Sequence, residues 1–83
     1  GGPPMKQLRS YYKKKFQSYP DLVTVLQFRE MLGGIGDTFA RKLIHEERVT
    51  AFFIRPYYYI SKSSVIDYLL SADYAKRRLS VRV

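Results

Sequence analysis

The sequence predicts a small α+β domain in the order helix, glycine turn, helix, β-hairpin, helix, with an added N-terminal helix and a basic C-terminal tail. Three observations predict it. Apolar residues recur at helical spacing on both sides of Gly33-Gly34-Ile35-Gly36. Residues 51–60 alternate through an aromatic and β-branched run. A last helical block, with Val65, Ile66, Leu69 and Leu70 apolar, follows directly.

Each element has its own signal. From Met5 to Tyr19, Leu8, Tyr12 and Phe16 recur every fourth residue among basic positions, an amphipathic helix that Pro20 brings to a stop. Thr24 opens the next helix, and Gln27 three residues on completes a capping box. Val25, Phe28 and Leu32 share its inner face, and the glycines after it supply the left-handed conformations that end a helix. Ile35 plugs the angle between the two helices. The second of them runs from about Asp37 to Glu46, with Ala40, Leu43 and Ile44 inward. Asp37, Thr38, Arg41, Lys42 and His45 are left outward, and Phe39 partly so. In the hairpin, Phe52, Ile54, Tyr58 and Ile60 are expected to face the core, with Phe53, Arg55, Tyr57 and Tyr59 outside. Pro56 cannot take a positive φ, which rules out a type I′ turn centred on Arg55-Pro56. A longer loop, or a turn with Pro56 at its second position, is expected instead. Ser61 then caps the closing helix, which continues through Ala72 and Tyr74 toward the tail.

Eighty-three residues hold one small domain with a modest core. The divisions are a basic aromatic arm over 1–20, a body over 21–72 and a basic tail over 73–83. The net charge of +8 is unevenly spread: residues 1–20 carry +5, residues 75–83 carry +4, and the middle stands at −1. Polyanion binding would therefore lean on the two arms. The absence of cysteine excludes disulfides and thiolate metal sites and suits a reducing cytoplasm. One histidine argues against a His-based metal site or a Ser-His triad. No apolar run approaches the roughly 18 residues of a membrane span. No spacing among Asp67, Asp73, Glu30 and Glu46-Glu47 assembles an acid/base or metal site. The expectation is a protein that is not an enzyme and needs no cofactor.

Between about Leu22 and Leu70 the chain resembles the small winged helix-turn-helix domains of the excisionase and MerR-like superfamily. The resemblance rests on Val23-Thr24-Val25, Leu32-Gly33, Ala40, Leu43-Ile44, Ile54, Tyr58, Ile60-Ser61-Lys62, Val65-Ile66 and Tyr68-Leu69, in that order and spacing. It implies a helix-turn-helix, a β-hairpin wing and a closing helix. It also implies double-stranded DNA as partner, in proteins that direct excision of phages and transposons or regulate transcription. The sequence departs from the family pattern in several places. The turn has an extra glycine, Asp37 stands where a basic or small residue is usual, and Arg55 replaces the wing glycine. Phe53, Pro56, Tyr57 and Tyr59 make an aromatic wing where the family has a cationic one, and Ser61 replaces a proline.

On the reading helix, Thr38, Arg41, Lys42 and His45 are the candidate DNA contacts. Arginine bonds a guanine edge with two hydrogen bonds, lysine favours phosphate or guanine, and threonine fits a thymine methyl or a phosphate. The plain alternative is a solvated helix face. Arg55 and Tyr57 on the wing are further candidate DNA contacts. Lys13, Lys14 and Lys15 on the N-terminal arm and Lys76, Arg77 and Arg78 on the tail are the candidate phosphate contacts, with solvated lysines on a docked helix and a solubilising tail as the alternatives. Three readings fit the outward aromatics: a cover supplied by the arms, a protein contact surface, or insertion into a minor groove. The expected role is an excisionase-like recombination directionality factor of a mobile element, cytoplasmic and nucleoid-associated. It would work beside an integrase or further copies of itself. A transcriptional regulator of such an element is one alternative. The other is a protein-interaction module that kept the winged fold and uses its aromatic wing.

Overall fold

In the computed structural model the backbone is described for residues 5–81 and the side chains for residues 7–77. The elements are α1 (Met5–Lys15), β1 (Leu22–Thr24), α2 (Val25–Met31), α3 (Asp37–His45), β2 (Ala51–Ile54), β3 (Tyr57–Ser61), α4 (Lys62–Leu69) and α5 (Ala72–Val81). The three strands form one antiparallel sheet in the order β1-β3-β2. Helix α2 is the hub, touching α3, β1, β3 and α4. Its Phe28 is fully buried with Val23, Leu43, Ile60 and Val65, one residue from each of five elements that meet in the core.

The pair α2–α3 is held by local chemistry. The Thr24 hydroxyl accepts from the Gln27 amide (3.1 Å) and the Gln27 side chain accepts from the Thr24 amide (3.0 Å), the reciprocal cap expected from the sequence. At the other end, Gly33 (φ 85°) donates to the Glu30 carbonyl and Gly34 (φ 90°) to the Arg29 carbonyl. Those bonds satisfy two carbonyls that would otherwise be orphaned. Arg29 Nε donates to the Ile35 carbonyl at 2.9 Å, which fixes the turn from the far side. Helix α3 ends in the same motif, with Glu47 donating to Ile44 and Arg48 to Leu43, both at 3.0 Å. Here, however, the left-handed position (φ 59°) is held by Glu47, a residue with a Cβ.

The strand register overturns part of the hairpin expectation. Ile54 pairs with Tyr57 across the two-residue connection Arg55-Pro56, whose peptide bond is cis. The loop is thus shorter than expected, and Pro56 takes the third turn position instead of the second. In this register Ala51 shares a face with Ile60 and Phe53 with Tyr58, while Phe52 shares the opposite face with Tyr59. The expected arrangement put the even-numbered residues of both strands inward, which needs an odd-length loop. Tyr58 and Ile60 do turn inward, but Phe52 and Ile54 face outward, 47% and 53% exposed. The described residues of the flanking helices leave the hairpin uncovered too, since Phe53 and Tyr57 are 57% and 64% exposed.

The flanking helices close the body. α1 lies on α4, with Phe16 buried and Arg9 paired to Asp67 at 2.6 Å. Lys62 Nζ donates to the Tyr19 carbonyl (2.7 Å) and the Phe16 carbonyl (3.4 Å), so the start of α4 clamps the turn after α1. The closing helix was expected to run on through Ala72. Instead it stops at Leu70, and Ser71 starts a new one by accepting from the Tyr74 amide at 3.2 Å.

Candidate nucleic-acid interface

One face of α3 is built to be buried and the other to be offered. Ala40, Leu43 and Ile44 are in the core, and Phe39 packs partly against it. Thr38, Arg41, Lys42 and His45 are all exposed, and their spacing of three and four residues puts them on one stripe. The stripe is positioned from both ends, by the glycine turn before Asp37 and by the contact of the His45 ring with Tyr58 of β3 (centroids 6.3 Å).

Arg41 is partnered within its own helix. Its Nε donates to the Asp37 carboxylate at 2.8 Å, with both side chains about half exposed (48% and 51%). An exposed i,i+4 pair contributes only about 0.3–0.5 kcal/mol. A two-bond contact to a base is worth about 1–3 kcal/mol. Asp37 therefore tempers the stripe without closing it, and its place in the first turn suits the helix dipole.

Arg41 also lines a groove of about 420 Å³ between the helical pair and the hairpin, with Thr24, Val25, Leu26, Phe53 and Tyr57 among its walls. Arg55 stands exposed at the tip of the hairpin. The hairpin thus leans toward the same side of the molecule as Arg41.

The two arms are held differently. Lys13, Lys14 and Lys15 are exposed on the last turn of α1, where Lys15 also lies over the rings of Tyr11 (5.7 Å) and Phe16 (5.8 Å). In α5, Arg77 is committed inward. It bonds Asp73 at 2.7 Å and Glu46 at 3.0 Å, and its guanidinium lies 5.5 Å from the Phe39 ring centre. Tyr68 donates to Asp73 at 2.7 Å, and Arg48 reaches both Glu46 and Asp73. Burial, then the bond to Asp73, pushes the Tyr68 phenol well above its ordinary range. The bonds from Tyr68 and Arg77 hold the Asp73 carboxyl below its ordinary range. This network fastens α5 to the flank and end of α3. Lys76 is exposed beside that anchor. The Arg78 side chain lies outside the described residues.

The sequence reading missed the inward role of Arg77, the clamp made by Lys62 and the helix start at Ser71. Only the last had a local signal, a serine followed two residues on by Asp73. Among the described residues no group of His, Asp and Glu could hold a metal ion, and no helix is long and apolar enough to cross a membrane. Compared with protein-family models, curated proteins and solved structures, the chain matches none.

Proposed function

We propose that this chain is a winged helix-turn-helix DNA-binding protein that lays α3 in the major groove of double-stranded DNA. The observation that carries this reading is the exposed stripe Thr38, Arg41, Lys42 and His45 on a helix whose opposite face is buried. Helix, turn, helix, hairpin and closing helix stand in the order the resemblance names, and the hairpin is the wing. Support also comes from the exposed Lys13, Lys14 and Lys15 at the end of α1, which stay open to a polyanion. Cations on the arms supply the phosphate contacts, and the stripe supplies base contacts. The role in keeping with the resemblance is directing the excision of a mobile element beside an integrase, or regulating its transcription.

A second reading, a protein-contact module, is favoured by the exposed Leu22, Phe52, Ile54 and Tyr57 of the sheet. Fluorescence anisotropy of a labelled random duplex across a salt series separates the two. DNA binding gives a log K that falls by about 0.9 per neutralised phosphate per decade of salt. Arg41→Ala/Lys42→Ala then weakens it at every salt concentration. Unchanged binding by the double variant leaves the arms as a non-specific contact, and no binding at low salt ends the proposal.

A further inference from the structure

β2 lies at one edge of the sheet, and β3 is the element packed against its other side. The Ser61 amide donates to the Thr50 carbonyl at 2.9 Å, so Thr50 turns its carbonyl toward β3. By the alternation of an antiparallel ladder, the backbones of Phe52 and Ile54 turn toward β3 as well. The N–H and C=O groups of Ala51 and Phe53 consequently point outward. Such edges are ordinarily guarded by charge, proline or a covering segment. Ala51-Phe52-Phe53-Ile54 has none of these within it, and three of its four side chains are about half exposed.

We propose that this edge is a seam between two copies of the chain, paired antiparallel into the continuous sheet β1-β3-β2-β2-β3-β1. The strand is complementary to itself. With Phe52 on the two-fold axis, Ala51 of each copy faces Phe53 of the other, and all four outward groups of each strand are satisfied. Shifting the axis to Ala51 or Phe53 pairs only one of these residues within the strand. On the axis the two Phe52 rings meet at a non-hydrogen-bonded position, where side chains stand closest. Arg55 faces the other copy's Val49, in a segment that holds one charge of each sign, Glu47 and Arg48, and Arg48 is already paired with Glu46 and Asp73.

The chemistry of the edge favours a second copy over an acidic partner, since the strand itself bears no charge. The seam is also conditional. Four residues a side bury less than the roughly 1,200 Å² of a stable complex, and each copy carries +8. Repulsion keeps the copies apart in dilute low-salt solution, and screening or a shared polyanion lets the seam close. None of this depends on the DNA-binding reading.

The chain has no cysteine, so one introduced thiol reports on symmetric contact alone. Phe52→Cys sets two thiols on the axis with Cα atoms about 4.5 Å apart, within the span of a disulfide. Ile54→Cys sets them about 13 Å apart along the strands. Both variants, checked for native circular dichroism, are equilibrated with glutathione disulfide, which is reduced to glutathione as the two thiols join. At about 1 M NaCl, where the Debye length is about 3 Å, Phe52→Cys is expected to give roughly tenfold more covalent dimer than Ile54→Cys. That excess shrinks at about 0.1 M. Equal yields from the two variants overturn the proposal, as does absence of the Phe52→Cys dimer at high salt. Sedimentation equilibrium of the unaltered chain is the second readout: its mean mass rises with salt if the seam exists, and a constant monomer mass overturns it.

Discussion

α1 and α5 both carry clustered positive charge, yet they are joined to the body by different forces. α1 is attached mainly through an apolar side chain and main-chain bonds, Phe16 in the core and Lys62 on the carbonyls of Phe16 and Tyr19, with the exposed Arg9–Asp67 pair beside them. Its three consecutive lysines form no ion pair in that attachment and stay exposed, Lys15 lying over the Phe16 ring. Among its described side chains, α5 sets the Tyr74 ring on Tyr68 (5.7 Å) and is held besides by Arg77, with Asp73, Glu46, Arg48 and the Phe39 ring. The lysine charge of α1 is offered to solvent and only Arg9 is paired, on the surface, whereas in α5 the half-buried Arg77 is consumed as an anchor. A count of basic residues does not distinguish the two.

The largest effect on the attachment of α1 is expected at Phe16. Phe16→Ala is expected to cost about 3–5 kcal/mol in urea unfolding, because it empties a core site and loosens α1 together with the rest of the fold. Loss confined to α1 amides in hydrogen exchange would show that α1 is an independent appendage. Acid is expected to act next, and chiefly on α5, because the Arg9–Asp67 pair of α1 is exposed and secondary to Phe16. The Asp73 pKa is lowered on folding, so its contribution is complete above the usual carboxylate range, around 3.9. It is lost as the pH falls through the lower folded value. Hydrogen exchange in that window should show α5 amides opening while those of α1 stay protected, and Arg77→Ala should move the opening to higher pH. Equal protection of both helices would mean that Tyr74 alone holds α5. The smallest effect belongs to Lys14→Ala, which should leave stability within about 0.5 kcal/mol and touch only polyanion affinity.

The parts that were legible in the sequence are those whose causes are local. The Thr24–Gln27 box, the Gly33-Gly34 turn and the stripe on α3 each depend on residues within one or two turns. β1 was not legible, because three residues make no periodic pattern and their partners lie at 59–61. The phase of β2 was misjudged because side-chain alternation is defined relative to a loop length, and alternation itself does not reveal that length. The candidate stripe could therefore be read directly. The commitment of Arg77 could not, since Glu46 stands 31 positions away.

The short strand β1 bears on the order in which the molecule comes together. The α2–α3 pair and the β2–β3 hairpin close over few residues and so need little loop entropy, which places them among the early events. Pairing Leu22–Thr24 with Tyr59–Ser61 has to close the whole intervening chain at once. It has a ladder of three residues to repay that cost, so it has reason to form after the two local units have met. The strand that the sequence hid is then the latch that commits the chain to its native state.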